Sequence, residues 1–162
     1  MVKMRKIFQS GLIWLWVAIL VIIVDRYSKF WVMQHLTYQE PLEILPFFNL
    51  TLAFNTGAAF SFLHSASGWQ NIFLGSLALI VSVVVVCWLT TLSKQERWIS
   101  IALNLILGGA LGNAWDRVLY HYVIDFLDFH LGNWHFAIFN VADSAICIGA
   151  FMLFCYWFVE KK

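Results

Sequence analysis

Charge is what this sequence has least of. Only 12% of its 162 residues are Asp, Glu, Lys or Arg, against 62% hydrophobic and 18% aromatic, with a mean hydropathy of +0.78. A soluble domain carries about 25% charged residues, so this composition excludes an ordinary water-soluble globule. The formal net charge is only +1, and neither a basic arm nor an acidic tail is present, so no nucleic acid partner is expected. Proline is confined to Pro41 and Pro46. Cys87, Cys147 and Cys155 fall in apolar runs with no C-x-x-C spacing, which leaves no metal or redox motif and makes them small packing residues.

What remains is long apolar runs. A hydrocarbon core about 30 Å thick needs about 20 apolar residues per helix, and the backbone inside it must be helical. The runs at 11–32, 70–92, 98–118 and 138–159 meet that length, so the chain is expected to be one integral-membrane domain over residues 1–162. The start resembles a secretory signal in its basic residues and apolar run. Asp25, Arg26 and Lys29 follow where a cleavage site would stand, so it is expected to be a retained first helix. Lys3, Arg5 and Lys6 precede the first run, Lys94 and Arg97 separate the second and third, and Lys161 and Lys162 follow the fourth. The connections 33–69 and 119–137 contain no Lys or Arg. The positive-inside rule then places both termini in the cytoplasm and both connections on the outer face. Arg26, Lys29 and Arg117, near the outer helix ends, break the trend.

Polar residues within the runs each require a reason. Asp25 and Lys29, spaced i,i+4, can neutralise each other on one helix face, or merely anchor a helix end at the interface. Asn104, Gly108 and Gly112 recur at i,i+4,i+8, a face that lets another helix approach closely. Asn113, Asp116 and Arg117 share a face at the end of that third run, where Asp116 beside Arg117 reads as a paired structural carboxylate. The fourth run is expected to carry Asn140, Asp143 and Ser144 on one face. An acid there suits a helix N-terminus, but Asp143 follows Phe136 to Phe139, which have already begun the apolar run. Between the first two runs, FFNLTLAFNTGAAFSF at 47–62 alternates at Leu50, Leu52 and Phe54, then breaks at Asn55, Thr56 and Gly57. Short strands are expected there, forming a small extracytoplasmic β platform able to pair with an extended peptide, or serving as a lid or folding element.

Asp116, Asp125, Asp128 and Asp143 are thus carried to one edge of a membrane. Two carboxylates held close together share a proton, so that one acts as base and the other as acid, an arrangement that activates water. Asp125 and Asp143, at the exit of the third run and the entry of the fourth, reach the same boundary. Asp128 and His130 stand in polar loop company, where solvation is the default. A metal site is the rival, since His121, Asp125, Asp128, His130 and His135 could supply ligands, but their spacing matches no standard zinc motif. Ion or proton pathways also use intramembrane Asp, Asn and Arg, although no internal repeat of the transporter kind is visible. A structural assembly subunit is a third reading.

DRYSK at 25–29, NTGAAF at 55–60, GNAWDR at 112–117, VIDF at 123–126 and FNVAD at 139–143 closely resemble, in order, the successive motifs of bacterial lipoprotein signal peptidase, or signal peptidase II. The resemblance implies a four-helix aspartyl endopeptidase of the bacterial cytoplasmic membrane. Its substrates would be prolipoproteins carrying a diacylglyceryl group on the lipobox cysteine, cut just before that cysteine. Asp125 and Asp143 would be the catalytic dyad. Asn55, Asn113, Arg117 and Asn140 would line the site, and Asp25, Lys29 and Asp116 would support it. No cofactor or metal is implied, and membrane lipids are the other partners. Ser28 stands where the first motif more often has Thr, and keeps the hydroxyl. The platform at 47–62 and the segment from His121 to His135 are expected to close over the substrate from the outer side.

Overall fold

The computed structural model describes residues 9–57 and 69–160. The basic residues Lys3, Arg5 and Lys6, the second half of the platform motif at 58–62, and Lys161 and Lys162 lie outside the described residues.

Four long helices carry the chain back and forth: α1 Leu15–His35, α2 Trp69–Thr91, α3 Arg97–Tyr120 and α4 Val141–Glu160. At about 1.5 Å per residue each is long enough to cross a bilayer, and all four are apolar enough to do so. A 3-10 turn, Gly11–Trp14, leads into α1 and is capped by the Ser10 hydroxyl, which accepts from the Leu12 amide at 3.3 Å. Helix α3 is buried along most of its length while the other three turn side chains such as Ile72, Ile80, Phe30 and Phe151 outward. That inversion, large apolar groups outside and polar ones inside, is what a lipid surround selects.

The helix packing follows from glycine. A Cβ on Gly108 would meet Val21 Cβ at 2.7 Å and the Ala18 carbonyl at 2.8 Å, so α1 crosses α3 there at backbone contact. Gly109 stands likewise against the Ala142 carbonyl of α4, and Gly149 of α4 against the Ala102 carbonyl of α3 at 2.5 Å. The small-residue face expected from Asn104, Gly108 and Gly112 is thus used, with α1 and α4 drawn onto adjacent sides of α3. Leu89, Leu92, Ile99, Leu103 and Leu107 fill the space between α2 and α3 and continue to Ala18 of α1.

A four-stranded antiparallel sheet sits at one end of the bundle. Its strands are β1 Pro41–Leu45, β2 Phe48–Asn55, β3 Val123–Leu131 and β4 Trp134–His135, in spatial order β1-β2-β3-β4. Val32 of α1 and Leu52, Ile124 and Phe126 of the sheet form the core that joins sheet to bundle. Lys94 and Arg97 stand at the opposite end, where Lys94 N donates to the Gln9 carbonyl at 3.2 Å.

Two expectations change. The connection 119–137 is not a polar loop; most of it is β3 and β4. Its segment VIDFLDFHL has apolar residues at both parities, because both faces are covered near the bundle, so no simple alternation marks it. Strand β2 lies inside the sheet, between β1 and β3. The described part of the 47–62 platform and the segment from His121 to His135 contribute neighbouring strands, with Asn55 opposite Val123 and Phe48 opposite Phe129. Helix α4 begins at Val141 and not near 138, since Phe139 is still extended and exchanges backbone hydrogen bonds with Leu127.

Gly108→Val is predicted to lower the midpoint of thermal unfolding in detergent, by overpacking of about 1–3 kcal/mol. Gly75, with nothing within 4 Å of its added Cβ, is the control. Gly75→Ala should leave the midpoint unchanged or raise it slightly, by up to about 1 kcal/mol of helix propensity.

Candidate active site

Helix α1 brings Asp25, Arg26 and Lys29 to the sheet end of the bundle, and α3 brings Asp116. All four charges meet. Lys29 Nζ lies 2.9 Å from Asp25 Oδ2 and 2.7 Å from Asp116 Oδ2; Arg26 lies 3.0 Å from Asp25 Oδ2 and 2.6 Å from Asp116 Oδ1. Asp25, Lys29 and Asp116 are essentially inaccessible. Two carboxylates and two cations cancel, which is how such charges are tolerated between membrane helices. The i,i+4 pairing of Asp25 with Lys29 is as expected. Asp116 differs: its partners are the two cations of α1, not its neighbour Arg117.

The same two carboxylates also grip the backbone. Asp25 Oδ1 accepts from Ala142 N at 3.0 Å, and Asp116 Oδ2 accepts from Ile124 N at 3.3 Å. Ala142 precedes Asp143, and Ile124 precedes Asp125. The ion quartet therefore fixes the main chain one residue before Asp143 and one residue before Asp125.

Asparagines complete the placement. Asn140 precedes α4, and its Oδ1 accepts from Asp143 N at 2.9 Å while Asp143 Oδ2 accepts from Asn140 N at 3.3 Å, a reciprocal cap of the capping-box kind. Asn140 Nδ2 meanwhile donates to Asp125 Oδ1 at 2.7 Å and approaches Asn113 Oδ1 at 3.2 Å. Asn113 Nδ2 donates to Asp143 Oδ1 at 2.7 Å, and its Oδ1 accepts from Lys29 at 3.2 Å. Asn55, at the end of β2, donates to Asp125 Oδ2 at 3.0 Å and accepts from Gly57 N at 3.0 Å, so the NTG break turns the chain and orients a carboxylate at once. The depth argument for Asp143 falls with the later helix start, because Asp143 occupies the first turn and is part of its cap. An N-x-x-D pair before an apolar run is the signal that marks this start.

Asp125 and Asp143 face a cavity of about 720 Å³ that Asn55, Asn113 and Arg117 also line. Arg117 donates to the carbonyls of Asn113 and Gly57 at 3.4 and 3.3 Å. Ile138, Ile146 and Cys147 add apolar side chains to its lining. Burial is the main force that pushes the Asp125 carboxyl up to about 7, and the charge of Asp143 pushes the same way. The amides of Asn55 and Asn140 and the Lys29 ammonium oppose them. A carboxyl that keeps its proton to neutral pH beside a second carboxylate can serve as an acid while its partner serves as a base.

The remaining candidates disperse. His121 is the left-handed C-cap of α3, with φ of 63°, and its carbonyl accepts from Asn71 Nδ2. Asp128 is buried in β3, contrary to the expected solvation, and pairs with His135 and Thr51. Among the described residues, no three His, Cys, Asp or Glu side chains gather as a metal site would need. The cavity wall Phe136–Phe139 was hidden in the sequence inside what reads as the start of the fourth helix.

The sequence model of a family described as Signal peptidase (SPase) II matches residues 17–159. A lipoprotein signal peptidase of Coxiella burnetii (strain Dugway 5J108-111) is 52% identical over 143 residues, 88% of each chain. One from Yersinia enterocolitica is 49% identical over 156 residues, 96% of this chain and 92% of its own. A solved structure described as a bacterial membrane enzyme has a TM-score of 0.82 and 29% identity, over 92% of this chain and 89% of that one.

Lys29→Met leaves two buried carboxylates with one cation. It is predicted to destabilise the protein by about 3–5 kcal/mol, read as a lowered unfolding midpoint in detergent.

Proposed function

Because the chain belongs to the signal peptidase II family, whose activity is removal of signal peptides from lipoproteins, we propose that it performs that cleavage as an aspartyl endopeptidase with Asp125 and Asp143 as the catalytic pair. The observation that carries the reading is their convergence on one cavity, with Asn140 holding the Asp125 carboxylate and the Asp143 amide together.

The substrate is a prolipoprotein whose lipobox cysteine bears a diacylglyceryl group, cut just before that cysteine. In the reaction, the ionised member of the pair takes a proton from water as the water oxygen attacks the scissile carbonyl carbon. The protonated member gives its proton to the carbonyl oxygen, forming a neutral diol. Return of a proton to the amide nitrogen breaks the carbon–nitrogen bond. The signal peptide leaves with a new carboxyl group, and the lipidated cysteine with a free amine. No covalent bond to the enzyme forms. Asn55, Asn113 and Asn140 hold the two carboxylates in register, and Arg117 holds the Asn55–Gly57 turn against the end of α3. Asp25, Lys29 and Asp116 act behind them through the backbone of Ala142 and Ile124.

Ile138, Ile146 and Cys147 lead from the pair toward the lipid-facing side of α4, a route suited to acyl chains that stay in the bilayer. The protein sits in the bacterial cytoplasmic membrane with both termini in the cytoplasm and the sheet on the outer face. The placement of Lys94 and Arg97 at the end remote from the sheet supports this orientation.

The test is cleavage of a diacylglyceryl-modified lipobox peptide by the purified protein. Asp125→Asn and Asp143→Asn should each slow cleavage about 10²–10⁴-fold or more while unfolding at the wild-type temperature. Normal cleavage by either variant would remove the pair from the reaction. The rate should also fall as pH rises past about 7, the value to which Asp125 is raised. Above it the pair has lost the proton it must donate. A rate that keeps rising to higher pH would contradict the shared-proton mechanism.

A further inference from the structure

Asp128 is a buried carboxylate that the proposed reaction does not use. It lies in β3 at 2% exposure, yet no cation of the quartet is its partner. Its two oxygens are claimed from opposite sides: Thr51 Oγ1 of β2 donates to Oδ2 at 2.8 Å, and His135 Nδ1 of β4 stands 2.9 Å from Oδ1. A carboxylate offers only acceptors, so His135 carries its proton on Nδ1 and donates. The bond survives whether the imidazole is neutral or charged. The ring of His135 is further fixed by stacking on His130, with centroids 5.0 Å apart and planes at 20°.

What this cluster holds is the wall of the cavity. His135 is the last residue of β4, and the next four, Phe136 to Phe139, run on as an extended strap that lines the cavity beside Asp125 and Asp143. Phe139 fastens the far end. Its N donates to the Leu127 carbonyl at 3.2 Å, and its carbonyl accepts from Phe126 and Leu127 at 3.0 and 2.8 Å. The near end is fastened by Phe136 N on the Phe129 carbonyl at 2.8 Å and by His135 on Asp128. Between the two ends, Ala137 and Ile138 are half-buried and no hydrogen bond joins their main chain to the described residues. An extended segment with unpaired main-chain groups on the wall of a peptidase cavity is a place for an extended peptide to add as a strand.

We propose that the strap at Ala137 and Ile138 receives the backbone of the substrate, and that Asp128 and His135 form the latch that aligns it. His135 is then a positioning residue for substrate binding, acting through the strap and not on the reacting atoms. The assignment rests on the peptidase reading above.

The experiment compares wild type with His135→Phe, which keeps a ring to stack on His130 and loses the donor, and with His135→Asn, whose amide nitrogen can replace Nδ1. Two quantities are read on the full-length detergent-solubilised protein. One is amide hydrogen exchange in the 136–139 segment, and the other is the KM and kcat for the diacylglyceryl-modified lipobox peptide. His135→Phe should speed exchange in the strap and raise KM about tenfold with kcat unchanged, the scale of one lost charge-assisted hydrogen bond. His135→Asn should restore both. Unchanged exchange in His135→Phe overturns the latch. Faster exchange with unchanged KM, or a loss confined to kcat, overturns the strap as a binding edge. A wild-type protein that cuts no lipobox peptide overturns the peptidase reading and the substrate half of this proposal, while exchange still decides the latch.

Discussion

Four charges, three of them buried, hold this structure together. Asp25, Arg26, Lys29 and Asp116 cancel one another where α1 meets α3, and removing any one leaves an uncompensated charge in a region with little water to receive it. Hydrophobic burial cannot distinguish one helix arrangement from another when the surround is as apolar as the helices. A quartet that is neutral only when complete does so. It also reaches beyond the helices, because each carboxylate accepts a main-chain N–H, one from Ala142 and one from Ile124. The proposed catalytic aspartates are the next residues in each case, so the support for the site is built into the interaction that assembles the bundle.

Glycine makes that reach possible. A Cβ on Gly112 would meet Asp25 Oδ2 at 3.0 Å and Ala142 Cβ at 3.4 Å, at the point where α1, α3 and the start of α4 converge. The motif GNAWDR thus reads as one device: the glycine admits the neighbouring helices, Asn113 orients Asp143, Asp116 joins the quartet, and Arg117 holds the turn after β2. Burial sets the chemistry as well as the fold. The Asp125 carboxyl is pushed up mainly because water is excluded from it, and the amides around it hold its geometry while only partly opposing that push.

Much of this was legible in the sequence where the physics is local. Run lengths gave the four helices to within a few residues, the i,i+4 spacing of Asp25 and Lys29 gave their pairing, and alternation at Leu50, Leu52 and Phe54 gave β2. The motifs brought Asp125, Asp143, Asn55, Asn113 and Asn140 forward together, and the structure gathers them. What could not be read depends on partners distant in the chain. Asp116 meets Arg26 and Lys29 from another helix, and no period in either segment encodes that meeting. Strand β3 was obscured because it is covered on both faces near the bundle, and Asp128 passed for a solvated loop acid because its partners Thr51 and His135 become neighbours only once the sheet forms. The start of α4 was misplaced for a different reason: Phe136 to Phe139 extend an apolar run without being helical, and the Asn140–Asp143 cap that marks the boundary is as apt for a cap as for a site.

The central claim is that Asp125 and Asp143 share one proton in a partly dry cavity. Infrared spectroscopy of the purified protein across a pH titration tests it most directly, because a protonated carboxyl absorbs apart from a carboxylate. The account predicts one carboxylic acid signal that persists to neutral pH, disappears near the value of about 7 given for Asp125, and is absent from Asp125→Asn. Titration of every carboxyl in the ordinary acidic range, with both aspartates ionised at neutral pH, would contradict it.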